Sequence, residues 1–137
     1  VCSSDLPSAS EAQIHAAVVA YCHRAMRPGV VVHHSPNEGK RTRWEGAQLK
    51  RTGVMAGFPD LLFVADGRAY GLELKTDRGR LTPSQATAHD ILKEAGMKIA
   101  IARSVDEAVA VLRGWNLVRE DVRLVNRARL DAEVIAP

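Results

Sequence analysis

Apolar positions along the chain change period from one segment to the next, and the changes mark the elements. Ile14, Ala17, Val18, Tyr21 and Ala25 fall on one helical face. Ser8 and Glu11 before them have capping-box spacing, and Arg27-Pro28-Gly29 stops the helix. The β-branched run Val30-Val31-Val32 reads as a strand, leading through His33 and His34 into the turn-rich SPNEGKR. A second amphipathic helix is expected from about Thr42 to Thr52, with Gly53 past its end. The period then drops to two, and a hairpin centres on Asp66-Gly67, the dipeptide suited to a type I′ turn. Thr82-Pro83-Ser84-Gln85 is a helix start, with an N-cap Thr, Pro at the first position and Gln three residues on. That helix should end at Gly96. Residues 97–103, MKIAIAR, are apolar on both faces, as a central buried strand would be. Ser104 and Glu107 repeat the capping-box spacing before a helix ending near Trp115. From Asn116 onward an added strand, a helix and a loosely packed tail fit equally, and no internal repeat is found. This order predicts an α/β fold, a mixed β-sheet with helices on both faces.

The hairpin gathers unusual chemistry. With Asp66-Gly67 as a two-residue turn, Asp60 falls opposite Glu73, where paired Cβ atoms lie about 4.5 to 5.5 Å apart. Alternation puts Lys75 on the face of Glu73 and collects Leu61, Phe63, Tyr70, Leu72 and Leu74 on the other. A slip of one residue would break both groupings. Two carboxylates so placed repel unless one is protonated or a cation lies between them. All-oxygen ligands favour Mg²⁺ or Mn²⁺, and Leu74 can add its backbone carbonyl. The ion would activate a water and stabilise a phosphate under attack, with Lys75 orienting the water or neutralising charge. The competing reading is an edge hairpin whose solvated charges alternate and contribute little.

Composition narrows the class only slightly. The 137 residues suit one core, built mainly from aliphatic side chains because aromatics are only 4%. Nineteen Lys and Arg against 16 Asp and Glu give a net charge of +3, a mild bias toward anionic partners. No apolar run approaches the roughly 18 to 20 residues of a membrane span, and no charged-then-apolar leader opens the chain, so an intracellular, cytoplasmic protein is expected. Cys2 and Cys22 are too few for a disulfide framework or a cysteine metal cluster, and Cys22 reads as a helix-packed thiol. The first six residues, VCSSDL, read as a non-native, adapter-derived segment, which would mean that the natural N-terminus is missing.

The residues around the triad carry a resemblance. GFPDLLFV, then GLELKTDRGRLTPSQ, preceded by NEGKR and followed by a strand, a serine-led helix and Trp115, resembles the virus-type replication-repair nuclease family (VRR-NUC), a branch of the PD-(D/E)XK nucleases with a restriction-endonuclease-like fold. On this reading residues 7–116 are the nuclease domain and residues 117–137 a C-terminal extension. The resemblance implies that Asp60 and Glu73 are metal ligands and Lys75 the catalytic lysine. Gln85 would help place the lysine, water or phosphate, in competition with a capping-box role beside Thr82. Glu11 matches an acidic position aimed toward the metal, again against a capping role. Asn37 and Glu38 match a supporting loop, against a simple turn. His33 and His34 alternate on a strand, so at most one can face the site, and structural or surface roles are expected for both.

Lys40, Arg41, Arg43, Lys50 and Arg51 precede the triad, and Arg78 and Arg80 follow it on a Gly-containing loop. Contact with the DNA backbone is expected from Lys40, Arg41, Arg43, Arg78 and Arg80, independent of base sequence and sensitive to salt; a solvated helix face is the alternative. No helix-turn-helix or zinc-finger pattern supplies base reading. The resemblance therefore implies a phage or bacterial metal-dependent DNA endonuclease, acting as a homodimer on branched DNA such as four-way (Holliday) junctions in replication, repair or recombination. A restriction-type or single-strand nuclease on the same fold and a catalytically idle DNA-binding module are the alternatives.

Overall fold

The Asp66-Gly67 turn sets the register of the sheet. In the computed structural model, which describes residues 9–36 and 42–119, both turn residues have positive φ, 53° and 74°, as a type I′ turn requires. Strands β2 (Leu61–Ala65) and β3 (Arg68–Leu74) run antiparallel from it, Leu61 opposite Leu72 and Phe63 opposite Tyr70, the register expected from the sequence. Strand β1 (Val31–His34) pairs antiparallel with β2, His34 opposite Leu61. Strand β4 (Lys98–Ala102) follows β3 through helix α3 (Pro83–Glu94), and the order in the sheet is β1-β2-β3-β4. Helices α1 (Glu11–Ala25), α2 (Arg43–Arg51) and α4 (Val105–Gly114) complete the expected αβαββαβα sequence of elements. The fold is α/β, a mixed four-stranded sheet flanked by helices.

Local chemistry sets the helix boundaries. Helix α1 starts later than the Ser8–Glu11 spacing suggests. Ser10 is its N-cap, Ser10 Oγ accepting from Gln13 N at 3.1 Å and Gln13 Oε1 from Ser10 N at 2.9 Å. This reciprocal pair satisfies two backbone donors at the helix start, and it leaves Glu11 outside the box. Thr42 and Glu45 cap α2 in the same way, and Gly53 (φ 95°) lies just past its end. The Ser104–Glu107 spacing closes only half a box: Ser104 Oγ accepts from Glu107 N at 3.1 Å, while the Glu107 carboxylate accepts from Arg103 N instead.

Grouped by packing, the residues form two compact units. In the first, which holds residues 9–30, 74–79 and 100–119, the core is Ile14, Val18, Tyr21, Cys22 and Ala25 of α1, with Leu74, Ala102, Ala108, Val109, Leu112, Leu117 and Val118. Ala17, expected on the inner face of α1, is half-buried, and Cys22 takes a buried place as expected. The start of the C-terminal extension belongs to this core. Val118 bridges Met26 in antiparallel fashion, and Arg119 N donates to Ala25 O at 2.7 Å. Residues 120–137 and the first six lie outside the described residues.

The second unit holds residues 31–36, 42–73 and 80–99. Leu61, Phe63, Tyr70 and Leu72 are buried, each at most 7% exposed, and removal of each such side chain from water contributes about 1.5–3 kcal/mol. One expectation is overturned. Among the described residues the MKIAIAR strand is not central: β4 ends the strand order, and only Ala102 in it is buried. Apolar residues on both faces suit a central strand, but Ile101 keeps 37% of its surface exposed.

Candidate metal centre

The approach to the site depends on glycine. Gly57 has φ 78°, and a Cβ built on it would stand 2.4 Å from Ser84 O, so the backbone before Asp60 packs directly against the first turn of α3. Gly71 has the same role on β3, where a Cβ would meet Pro59 Cγ at 2.8 Å. Pro59 is thereby buried beside the strand. The Asp60 carbonyl accepts from Ser35 N at 3.0 Å and lies 3.0 Å from His34 Nδ1. His34 is therefore a half-buried structural contact at the end of β1, while His33 is exposed.

These constraints bring Asp60 beside Glu73. Their carboxylate oxygens come within 4.8 Å of one another, with Asp60 8% and Glu73 1% exposed. Burial of this order removes the solvated edge hairpin as an account of the pair, because charges left in water are not enclosed. Two enclosed carboxylates at this separation call for a cation or a shared proton, and an all-oxygen donor set fits a hard divalent ion. Lys75 extends β3, its N–H donating to Ala102 O at 3.0 Å, and is 7% exposed. By strand alternation it shares the face of Glu73. Leu74 between them is fully buried.

Gln85 completes the expected cap and also reaches Glu73, a partner that the sequence reading does not name. Its Oε1 accepts from Thr82 N at 2.9 Å, completing the cap of α3, and its Nε2 donates to Glu73 Oε1 at 2.9 Å. The cap fixes which end of the amide faces the carboxylate. His89, one turn further along α3, is 3% exposed, and its Nε2 lies 3.6 Å from Glu73 Oε2. The sequence reading does not include His89; its i+4 spacing from Gln85 on a capped helix is the signal that could have found it.

Glu11 is the first residue of α1, half-buried. Arg43 opens α2 and, with Lys50, Gly57 and Ser84, lines an open cleft of about 570 Å³. Arg78 and Arg80 are exposed. A residue not singled out in the sequence, Arg103, braces the first half of their loop, its Nη1 donating to Thr76 O at 3.0 Å and to Gly79 O. Asn37, Glu38, Lys40 and Arg41 lie outside the described residues. Among the described residues no helix is long and apolar enough to cross a membrane.

No family model matches the sequence, and no curated protein does. Solved structures do. A "VRR_NUC domain protein" aligns over 78% of this chain and 88% of its own, with 26% identity and a TM-score of 0.64. A second, described as "VRR_NUC domain", aligns over 78% of this chain and 99% of its own, with 17% identity and a TM-score of 0.53, a likeness of fold. The mixed sheet and its paired carboxylates thus define a nuclease-type domain with a PD-(D/E)XK-like fold. Within that class, the solved VRR-NUC domains support placing the chain in the family that its motifs resemble.

Proposed function

We propose that the protein is a divalent-metal-dependent DNA endonuclease. The observation that carries this reading is the enclosed Asp60–Glu73 pair with Gln85 donating to Glu73. Asp60 and Glu73 would hold Mg²⁺ or Mn²⁺, the Leu74 backbone carbonyl would join them, and the family resemblance adds Glu11 to the set. When bound, the ion supplies positive charge to the scissile phosphate and makes an attacking water more acidic. Lys75 orients that water or offsets the charge that develops on the phosphate oxygens. Gln85 keeps Glu73 in its ligating orientation.

DNA is held through its phosphates by Lys40, Arg41, Arg43, Arg78 and Arg80, while the family resemblance gives Asn37 and Glu38 a supporting role toward the metal or substrate. Such contacts position a duplex without reading its bases, so selectivity falls to DNA shape. Branched substrates, four-way junctions among them, suit this arrangement in replication, repair or recombination. A homodimer would present two sites to two strands of related symmetry.

The test is cleavage of labelled four-way junction, flap, single-stranded and linear duplex DNA with Mg²⁺, Mn²⁺ or EDTA, beside Lys75→Ala. Metal-dependent cleavage that disappears in the variant supports the reading, and the preferred substrate fixes the finer role. Cleavage of linear duplex at fixed sequences would favour a restriction-type enzyme. DNA binding without cleavage of any substrate would leave an idle binding module.

A further inference from the structure

Gln85 and His89 stand one helical turn apart on α3, and both face the Glu73 carboxylate, one at each oxygen. A hydrogen bond at one carboxylate oxygen fixes a point, not a plane. A second group at Oε2 fixes the plane. At 3.6 Å the His89 contact is longer than a hydrogen bond. It acts through attraction between the ring nitrogen and the carboxylate and by filling the space that another Glu73 rotamer would need. With side chains only 4% and 1% exposed, bulk water cannot take over this task. Core packing alone would be served by leucine, without the cost of taking a polar ring out of water.

We propose that His89 is a positioning residue for Glu73: with Gln85 it forms a two-point clamp that sets the carboxylate plane and so the affinity of the site for a divalent ion. The proposal rests on the reading of Glu73 as a metal ligand. Groups that orient a ligand in this way typically change metal affinity about 10- to 100-fold when removed.

The experiment uses the full chain and measures Mn²⁺ affinity by electron paramagnetic resonance, with thermal unfolding of the metal-free protein alongside, for wild type, His89→Leu, His89→Gln and Asp60→Asn. Leucine keeps apolar bulk and removes the polar group; glutamine restores a donor. The clamp predicts a Mn²⁺ affinity about 10-fold weaker in His89→Leu, recovered in His89→Gln, with the two variants unfolding at similar temperatures. Unchanged affinity in a folded His89→Leu overturns the clamp while leaving the metal site intact. Equal weakening in both variants, tracking reduced stability, also overturns it and returns His89 to packing alone. If wild type binds no Mn²⁺, or binds it no better than Asp60→Asn does, the metal reading itself fails, an outcome distinct from the other two.

Discussion

Gln85 is held at both ends of its amide, by Thr82 N on the oxygen and by Glu73 Oε1 on the nitrogen, each at 2.9 Å. A helix cap therefore aims a donor at a buried carboxylate. The two duties can be separated. Gln85→Glu keeps an oxygen for Thr82 N but sets a carboxylate against Glu73, so cleavage should collapse while the cap survives. Thr82→Ala should cost about 1 kcal/mol of stability and leave cleavage nearly intact. Urea unfolding beside cleavage rates for the two variants checks this; equal loss of activity in both would refute the separation.

Lys75 is enclosed and shares the face of Glu73. Lys75→Met, of similar length and without charge, should leave the circular dichroism spectrum unchanged and lower the cleavage rate by about 10²–10³-fold, the usual cost of removing one transition-state donor. Single-turnover rates at saturating Mn²⁺ are the measurement. A rate within a few-fold of wild type would remove Lys75 from the chemistry.

Gly57 is needed twice over, for its φ of 78° and for the 2.4 Å approach of Ser84 O to any Cβ there. Gly57→Ala should destabilise the protein by about 1–3 kcal/mol and weaken Mn²⁺ binding, because the run into Asp60 must move away from α3. Gly53, also at positive φ but with nothing near its Cβ position, is the control, expected to show the smaller loss in urea unfolding.

Burial pushes the Cys22 thiol from 9.0 up to about 12. A group whose pKa is raised on folding contributes stability that is complete below its unfolded value and is lost as pH rises toward the folded one. The enclosed thiol should therefore weaken the fold progressively between about pH 9 and pH 12, at most about 1.4 kcal/mol per pH unit. Cys22→Ala should flatten that part of the stability profile. Parallel alkaline profiles for the two proteins would show that Cys22 does not contribute.

Arg78 and Arg80 extend into solvent from a loop whose first half Arg103 braces. Replacing each by alanine should weaken binding of all DNA sequences alike and reduce the salt dependence of binding, by about one unit of slope for each phosphate no longer neutralised. Fluorescence anisotropy across a series of salt concentrations reads this directly.

The hairpin is legible in the sequence because its turn chemistry and its period-two pattern agree: Asp66-Gly67 fixes the register, and the register places Asp60 by Glu73. The cap of α3 is legible for the same reason. His89 is legible only through Gln85: its i+4 spacing puts it on the same helical face, but nothing in its own surroundings says that this face meets Glu73. The start of α1 differs from expectation because Ser8 and Ser10 offer overlapping capping patterns, and the reciprocal bonds to Gln13 select the second. The place of β4 differs because an apolar run shows how a strand is composed, not how many neighbours it has.

The close approach of Gly57 to Ser84 has a genetic consequence. Asp60, Glu73, Lys75, Gln85 and His89 lie in one uninterrupted stretch of the chain, residues 57–89, and the approach folds that stretch back on itself. Apart from Glu11 and the DNA-contacting and supporting residues that precede Gly57, the proposed chemistry is then inherited as a block. Recombination that exchanges either flank would pass it on whole, while an insertion or deletion of one residue inside it would shift the facing partners and silence the site in a single event.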